Sequence, residues 1–109
     1  MSKAAMVPGI LACAVLCTSP GLAADATADQ QRAEAIVAER CSLCHGKGGE
    51  SASAIYPRLA GQHPRYVEDQ LKQFNKRERT NDNAVMHAVA SKLTELETHA
   101  VAEYVATLD

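Results

Sequence analysis

The stretch Cys41-Ser42-Leu43-Cys44-His45 has two cysteines separated by two residues and followed directly by a histidine. Cysteines three positions apart in a helical turn lie on one face, so both sulfur atoms can reach neighbouring edges of one flat ligand. The histidine is then placed to offer a ring nitrogen to a metal at the centre of that ligand. This spacing is the attachment sequence for c-type haem. The sequence therefore predicts thioether bonds from Cys41 and Cys44 and an axial iron bond from His45.

Other sites that use closely spaced cysteines fit this chain less well. A thioredoxin-like motif lies between a strand and a helix, whereas here a helical pattern precedes the cysteines and glycines follow them. A structural zinc site needs four ligands, so His63, His87 or His99 would have to complete it. A disulfide between residues three apart would close too small a loop to restrain the chain. Because the motif occurs once, we expect one covalently attached haem.

The N-terminal segment 1–24 indicates a secretory signal peptide. Lys3 supplies a positive charge, and the apolar run that follows is shorter than the about 20 residues of a membrane-spanning helix. We expect cleavage after Ala24, a folded domain at residues 25–109, a periplasmic location and no stable membrane insertion. Cys13 and Cys17 would be removed with the signal; the alternative is a lipoprotein signal that anchors the chain at Cys13.

The composition favours a small domain built around a bulky cofactor. The 109 residues include no Trp, one Phe and three Tyr, so large aromatic rings can fill little of the interior. A domain of this size usually needs a disulfide, a metal or a cofactor for stability. The formal net charge of −2 is mild and favours neither nucleic acid nor an anionic membrane surface as a partner.

Helical periodicity appears in three segments, and no strand is needed. The first helix is predicted at about 27–44, with Thr27 at the start of a capping box, and the second at about 64–77, with Pro64 at its first position. The third begins at Thr94 in another capping box. We expect the apolar stripes of these helices to be buried. The stripes consist of Ala33, Ile36, Val37 and Cys41, then Val67, Leu71 and Phe74, then Leu96, Ala100, Val101, Tyr104, Val105 and Leu108.

Two loops, 46–63 and 77–90, are expected to frame the haem, and the second carries Met86 in a non-helical segment. A thioether opposite histidine raises the reduction potential, which suits an electron carrier. Met86 is therefore the predicted second axial ligand, against the ordinary use of methionine as a core filler. His87 is the rival, and its ligation would lower the potential.

The chain resembles the cytochrome c4/c5/c553-like branch of the class I cytochromes c along the whole predicted domain. That family follows C-x-x-C-H-G with P-x-L-x-G-Q, an aromatic residue, Q-L-x-x-F and a methionine loop. The matching residues are Cys41, Cys44, His45, Gly46, Pro57, Leu59, Ala60, Gly61, Gln62, Tyr66, Gln70, Leu71, Phe74 and Met86. The resemblance implies an all-α class I cytochrome c fold, with about three main helices around one covalently bound haem.

The resemblance also implies roles for residues of the haem pocket. Pro57 lies where such proteins use a proline carbonyl to accept the second ring N–H of the haem histidine. Tyr66, Gln70 and Arg79 lie where the family lines the pocket or contacts the haem propionates. The family often has glycine three residues after the phenylalanine, and here that position is Arg77. We therefore expect the turn into the methionine loop to differ.

Together these features predict a one-electron carrier and not an enzyme. Two axial ligands leave no open position on iron, which argues against peroxidase, oxygenase or gas-binding chemistry. We expect outer-sphere transfer at the haem edge, transient donor and acceptor proteins, and a monomer. The alternatives are a haem c subunit of a dehydrogenase or oxidase complex and a haem-based ligand sensor, which would need a labile Met86.

Charge is distributed unevenly along the predicted domain. Acidic residues dominate from Asp82 onward, whereas positive residues are concentrated between positions 58 and 79. Such a basic surface would steer an acidic partner to the haem, although a solvated face without a docking role is the alternative. The residues of this basic surface are Arg58, Arg65, Lys72, Lys76, Arg77 and Arg79.

Overall fold

The fold is all-helical in the part of the chain that the computed structural model describes, which is residues 2–12, 14 and 21–109, with the backbone alone at 21–25. The predictions for Cys13 and Cys17 lie outside the described residues. Helix α1 spans Gly21–Ile36, and a π-helical turn at Val37–Cys41 joins it to α2. The later helices follow in chain order: α2 at Ser42–His45, α3 at Pro64–Asn75, α4 at Val85–Ala90 and α5 at Glu95–Ala106. No helix among the described residues is long and apolar enough to cross a membrane.

Helices α1, α3 and α5 pack around a small aliphatic core. Ala33 of α1 and Ala102 of α5 have no exposed surface, because each sits where two helices approach closely. The buried apolar residues are Ala33, Ile36, Val37, Val67, Leu71, Phe74, Ala90, Leu93, Val101, Ala102 and Val105. The predicted stripes of the first two helices are thus buried, with Cys41 packed against the core.

Local signals set the starts of α3 and α5 as the sequence predicts. Pro64 is the first residue of α3, where its missing N–H needs no partner. At α5 the Thr94 hydroxyl accepts a hydrogen bond from the Glu97 N–H at 3.1 Å. The Glu97 carboxylate in turn accepts from the Thr94 N–H at 3.0 Å, which completes the capping box.

Two details of the predicted helices are wrong. Helix α1 begins at Gly21, so Thr27 lies inside it, because the alanine-rich segment before Thr27 favours helix. Leu96 is 76% exposed, although it was expected on the buried stripe of α5. The buried face of α5 is instead centred on Val101 and Val105, and Leu96 lies about 140° around the helix from Val101.

Helix α3 ends in a turn that places Arg77 in the left-handed conformation, with φ of 61°. The Glu78 N–H donates to the Gln73 carbonyl at 2.9 Å, and the Arg77 N–H donates to the Phe74 carbonyl at 3.3 Å. This pair of bonds is the Schellman motif, which glycine usually closes. Arg77 therefore adopts the left-handed conformation that glycine usually supplies in this motif, and the expected difference from the family in this turn stays a prediction.

Replacing Arg77 with glycine is expected to raise the free energy of unfolding by about 0.5–1 kcal/mol. Relief of the left-handed strain contributes about 1–2 kcal/mol, and the greater freedom of glycine in the unfolded chain offsets part of it. Arg77→Ala is the control, because it removes the charge and keeps the strain. Chemical denaturation measures both, and a glycine variant no more stable than the alanine variant would contradict the strain.

A charged pair links α3 to α5. The His99 Nδ1 lies 2.9 Å from the Glu68 carboxylate, which also accepts a bond from Lys72 at 2.8 Å. The hydrogen bond to Glu68 raises the pKa of His99, with a weaker raising effect from Glu103 and a lowering effect from Lys72. The bonds from Lys72 and then His99 lower the pKa of the Glu68 carboxyl.

This pair should make stability depend on pH. Because the folded pKa of His99 is raised, its contribution is complete below the ordinary histidine pKa of 6.5 and is lost as pH rises through the folded value. The side chain of His99 is 59% exposed, so we expect less than about 1 kcal/mol. Denaturation of the parent and of His99→Gln at about pH 5.5 and about pH 8.5 measures the difference. Equal pH dependence in the two proteins would contradict it.

Candidate haem-binding site

Cys41 is the last residue of the π-helical turn and Cys44 lies in α2; both cysteines are free and half-buried. The Ser42 hydroxyl donates to the Val37 carbonyl at 2.9 Å, and the Ser42 backbone N–H donates to the same oxygen. Single π-helical turns within α-helices are frequent at functional sites. Burial raises the pKa of the Cys41 thiol, and the charge of Arg40 opposes this effect.

His45 is buried, and its ring is held by the backbone of a distant loop residue. The Nδ1 atom lies 2.6 Å from the Pro57 carbonyl oxygen, which can only accept, so Nδ1 carries the proton. The second nitrogen, Nε2, then keeps its lone pair for a metal. The Tyr56 ring packs edge-on against His45 with centroids 6.3 Å apart. The contact with Pro57 that the family resemblance implies is therefore present.

Two glycines allow the chain to turn closely behind His45. Gly46 has φ of 83°, and a Cβ atom on it would lie 2.9 Å from the Ser51 nitrogen. A Cβ on Gly49 would lie 2.9 Å from the Ala60 nitrogen. Any larger residue at either position would push the loop that carries Pro57 away from His45.

The structure brings Gln70 and Arg79 into direct contact. The Arg79 guanidinium donates to the Gln70 side-chain oxygen at 2.6 Å and to the Asn81 side-chain oxygen at 2.9 Å. It also lies over the Phe74 ring, 4.5 Å from the centroid. Tyr66, the remaining predicted pocket residue, is 52% exposed on α3. The contact between Gln70 and Arg79 spans nine positions and has no local sequence signal.

Met86 lies in α4, so the prediction of a non-helical segment is wrong. This helix has six residues and begins after Ala84, whose φ of 66° turns the chain into it. The Asp82 carboxylate accepts from the N–H of His87 at 2.8 Å and of Ala84 at 3.2 Å. These bonds, led by that from His87, lower the pKa of the Asp82 carboxyl. Met86 is half-buried and packs against the core.

The rival ligand His87 is engaged with the end of α3. Its Nδ1 atom donates to the Phe74 carbonyl oxygen at 3.0 Å. His87 thus ties α4 to α3, while Met86 beside it contacts the core. Ligation by either side chain stays a prediction.

The side chains of this region fit haem c. Two free thiols, an oriented imidazole and a thioether are the groups that attach and ligate it. Within the described ranges, no group of three or more His, Cys, Asp or Glu could hold a metal ion, which weighs against the zinc alternative. Large apolar side chains on the surrounding segments are exposed and offer surface for a porphyrin to cover. They are Ile55, Tyr56, Tyr66 and Val85.

Comparison with known proteins gives the family. The cytochrome c family matches residues 30–109. Cytochrome c4 of Thiocapsa roseopersicina is 42% identical over 85 residues, which cover 78% of this chain and 43% of that protein. The thiosulfate dehydrogenase electron acceptor of Thiomonas intermedia is 37% identical over 67 residues, which cover 61% of this chain and 31% of that protein.

A solved structure also matches the fold. Reduced recombinant cytochrome c4 from Pseudomonas stutzeri aligns with a TM-score of 0.69 and 29% identity, over 76% of this chain and 50% of that chain. The chain thus spans half or less of the length of these relatives. The predicted all-α class I cytochrome c fold is confirmed, and the chain belongs to the cytochrome c family.

Proposed function

We propose that this chain carries single electrons between redox proteins of the periplasm and is not itself an enzyme. Cys41 and Cys44 hold one haem c, and His45 and Met86 ligate its iron. The observation that carries the proposal is the 2.6 Å bond from His45 Nδ1 to the Pro57 carbonyl, directly after the two cysteines. It fixes the ring and reserves Nε2 for iron.

Bound haem c supplies a one-electron couple with no substrate on the metal. The thiols of Cys41 and Cys44 would hold this group, His45 is already oriented by Pro57, and Met86 would supply the second iron ligand. A closed position favours outer-sphere transfer over ligand chemistry. One C-x-x-C-H motif in 109 residues supports one haem for this chain.

The partners we propose are a donor and an acceptor protein that bind transiently, with the carrier as a monomer. One relative is named as the electron acceptor of thiosulfate dehydrogenase, which supports a dehydrogenase as the donor. The signal-like segment 1–24 supports export to the periplasm.

Carbon monoxide distinguishes the carrier from a ligand sensor. We expect the reduced, haem-loaded protein not to bind carbon monoxide promptly, because Met86 occupies the site. Met86→Ala is the positive control and should bind it at once. Prompt binding by the parent would identify a sensor, and a native protein that elutes with a larger partner would identify a complex subunit.

The basic surface has cations that are available to a partner. Among the described residues, Arg65, Lys76 and Arg77 are exposed and form no ion pair. Lys72 is paired with Glu68. Exposed cations that form no ion pair favour an acidic docking face on the partner.

Lys76→Glu should slow electron transfer with such a partner about three- to tenfold at low salt and less at high salt, because attraction becomes repulsion. Lys92→Glu is the matched control, since Lys92 is also exposed but lies in the acidic C-terminal part. Stopped-flow rates across ionic strength measure both. Rates independent of salt in the parent would contradict docking through this surface.

A further inference from the structure

Ser51 forms hydrogen bonds both to His45 and to Tyr56, the neighbour of the Pro57 acceptor that orients the His45 ring. Its backbone N–H donates to the His45 carbonyl oxygen at 2.7 Å. Its hydroxyl lies within hydrogen-bonding distance of two carbonyl oxygens, that of Ser53 at 2.9 Å and that of Tyr56, the residue immediately before Pro57. Ser51 thus links the histidine to the residue that precedes its acceptor, Pro57.

The loop that carries Pro57 has few other anchors. Residues 52–58 are all exposed, so packing against the core does not fix the Pro57 carbonyl. The base of the loop is closed at Gly49, whose carbonyl accepts from the Leu59 N–H at 2.9 Å and the Ala60 N–H at 3.1 Å. Between that base and Pro57, the half-buried Ser51 is the side chain that bonds to the Tyr56 carbonyl.

The left-handed backbone conformation of Ser51 indicates that its hydroxyl has a structural role in the loop. Its φ is 49°, in the left-handed region where a non-glycine residue is strained. Gly46, Gly48 and Gly49 just before it also have positive φ and carry no such strain. Glycine would satisfy the backbone at position 51 equally well, but it would lose the bond to Tyr56.

We propose that Ser51 is a positioning residue that sets the strength of the bond from His45 to Pro57 and thereby the reduction potential of the bound haem. This inference rests on the proposed function, with His45 as an iron ligand. A strong acceptor on Nδ1–H makes the imidazole a better electron donor. A better donor stabilises oxidised iron, so the Ser51 bond holds the potential down.

The test compares three variants of the full, haem-loaded protein. Ser51→Ala removes the hydroxyl and keeps the backbone N–H. Ser51→Gly removes the hydroxyl and also relieves the strain, so it should fold even if the alanine variant does not. Ser53→Ala is the matched control, since it removes a hydroxyl that accepts from the Ile55 N–H in the same loop and keeps the Ser53 backbone bonds to Ser51 and Tyr56.

Both Ser51 variants should favour reduction about three- to tenfold over the parent, where tenfold corresponds to about 59 mV for one electron. The exchange of the His45 Nδ1 proton, followed by NMR of the reduced protein, should quicken in the same two variants. A merely structural role would move neither quantity in the strain-relieved glycine variant.

Ser51 variants whose potential and ring-proton exchange match those of Ser53→Ala would overturn the inference. Failure of the proposed Met86 ligation is seen separately, as a parent protein without the sulfur-to-iron absorption band. In that case the Ser51 comparison still reports on His45.

Discussion

Replacing Cys41 and Cys44 together with alanine is expected to abolish covalent haem attachment and to leave most of the domain unfolded. The core consists mainly of small aliphatic side chains and includes a single phenylalanine, so it gains little stability without the cofactor. We expect a loss of about 4 kcal/mol or more in the free energy of unfolding, the stabilisation given by a ligand at a thousand times its Kd. Haem staining after denaturing electrophoresis and circular dichroism measure the two effects.

Leu43→Ala is the control for this pair. Leu43 lies between the cysteines and is 86% exposed, so its loss should leave attachment and folding unchanged. Haem that survives denaturing electrophoresis in the double variant would contradict the assignment of Cys41 and Cys44.

Met86→Ala is expected to lower the reduction potential by on the order of 0.1 V or more. Axial ligands tune haem potentials over about 0.8 V, and a thioether opposite histidine lies on the high side of that range. Loss of the thioether leaves water or a nitrogen donor, which favours oxidised iron. Spectroelectrochemical titration measures the midpoint.

His87→Ala is the matched control, because it changes the neighbouring residue on the same short helix. It removes the bond to the Phe74 carbonyl and should cost stability without a comparable fall in potential. A large change in potential in the His87 variant, with none in the Met86 variant, would reverse the ligand assignment.

The sequence predicted those helices whose ends carry local signals. Pro64 and the capping box of Thr94 and Glu97 mark helix starts through contacts within four residues, which the sequence displays directly. The start of α1 was missed, because Thr27 has the spacing of a cap but lies within a longer alanine-rich helix.

Local sequence patterns did not predict the structural features that depend on contacts between distant residues. Helix α4 has six residues and starts from a left-handed Ala84 that no propensity marks. Leu96 fitted helical periodicity but is exposed, because the buried face of α5 is centred on Val101 and Val105. Which face of α5 is buried depends on how the helices pack, and the periodicity of apolar residues alone does not determine it.

In the candidate site too, the features with a local sequence signal were predicted and those set by distant contacts were not. The spacing of Cys41, Cys44 and His45 indicates haem attachment without any structure, because it reflects contacts within one helical turn. The bond from His45 to Pro57 crosses twelve positions, and only the family resemblance implied it. The Ser51 bonds on either side of it carried no sequence signal at all.

The most direct test of the account is the near-infrared absorption spectrum of the oxidised, haem-loaded protein. Ligation by His45 and Met86 predicts a weak sulfur-to-iron band that disappears in Met86→Ala and persists in His87→Ala. Bound haem without that band in the parent protein, or a band that survives Met86→Ala, would contradict the central claim.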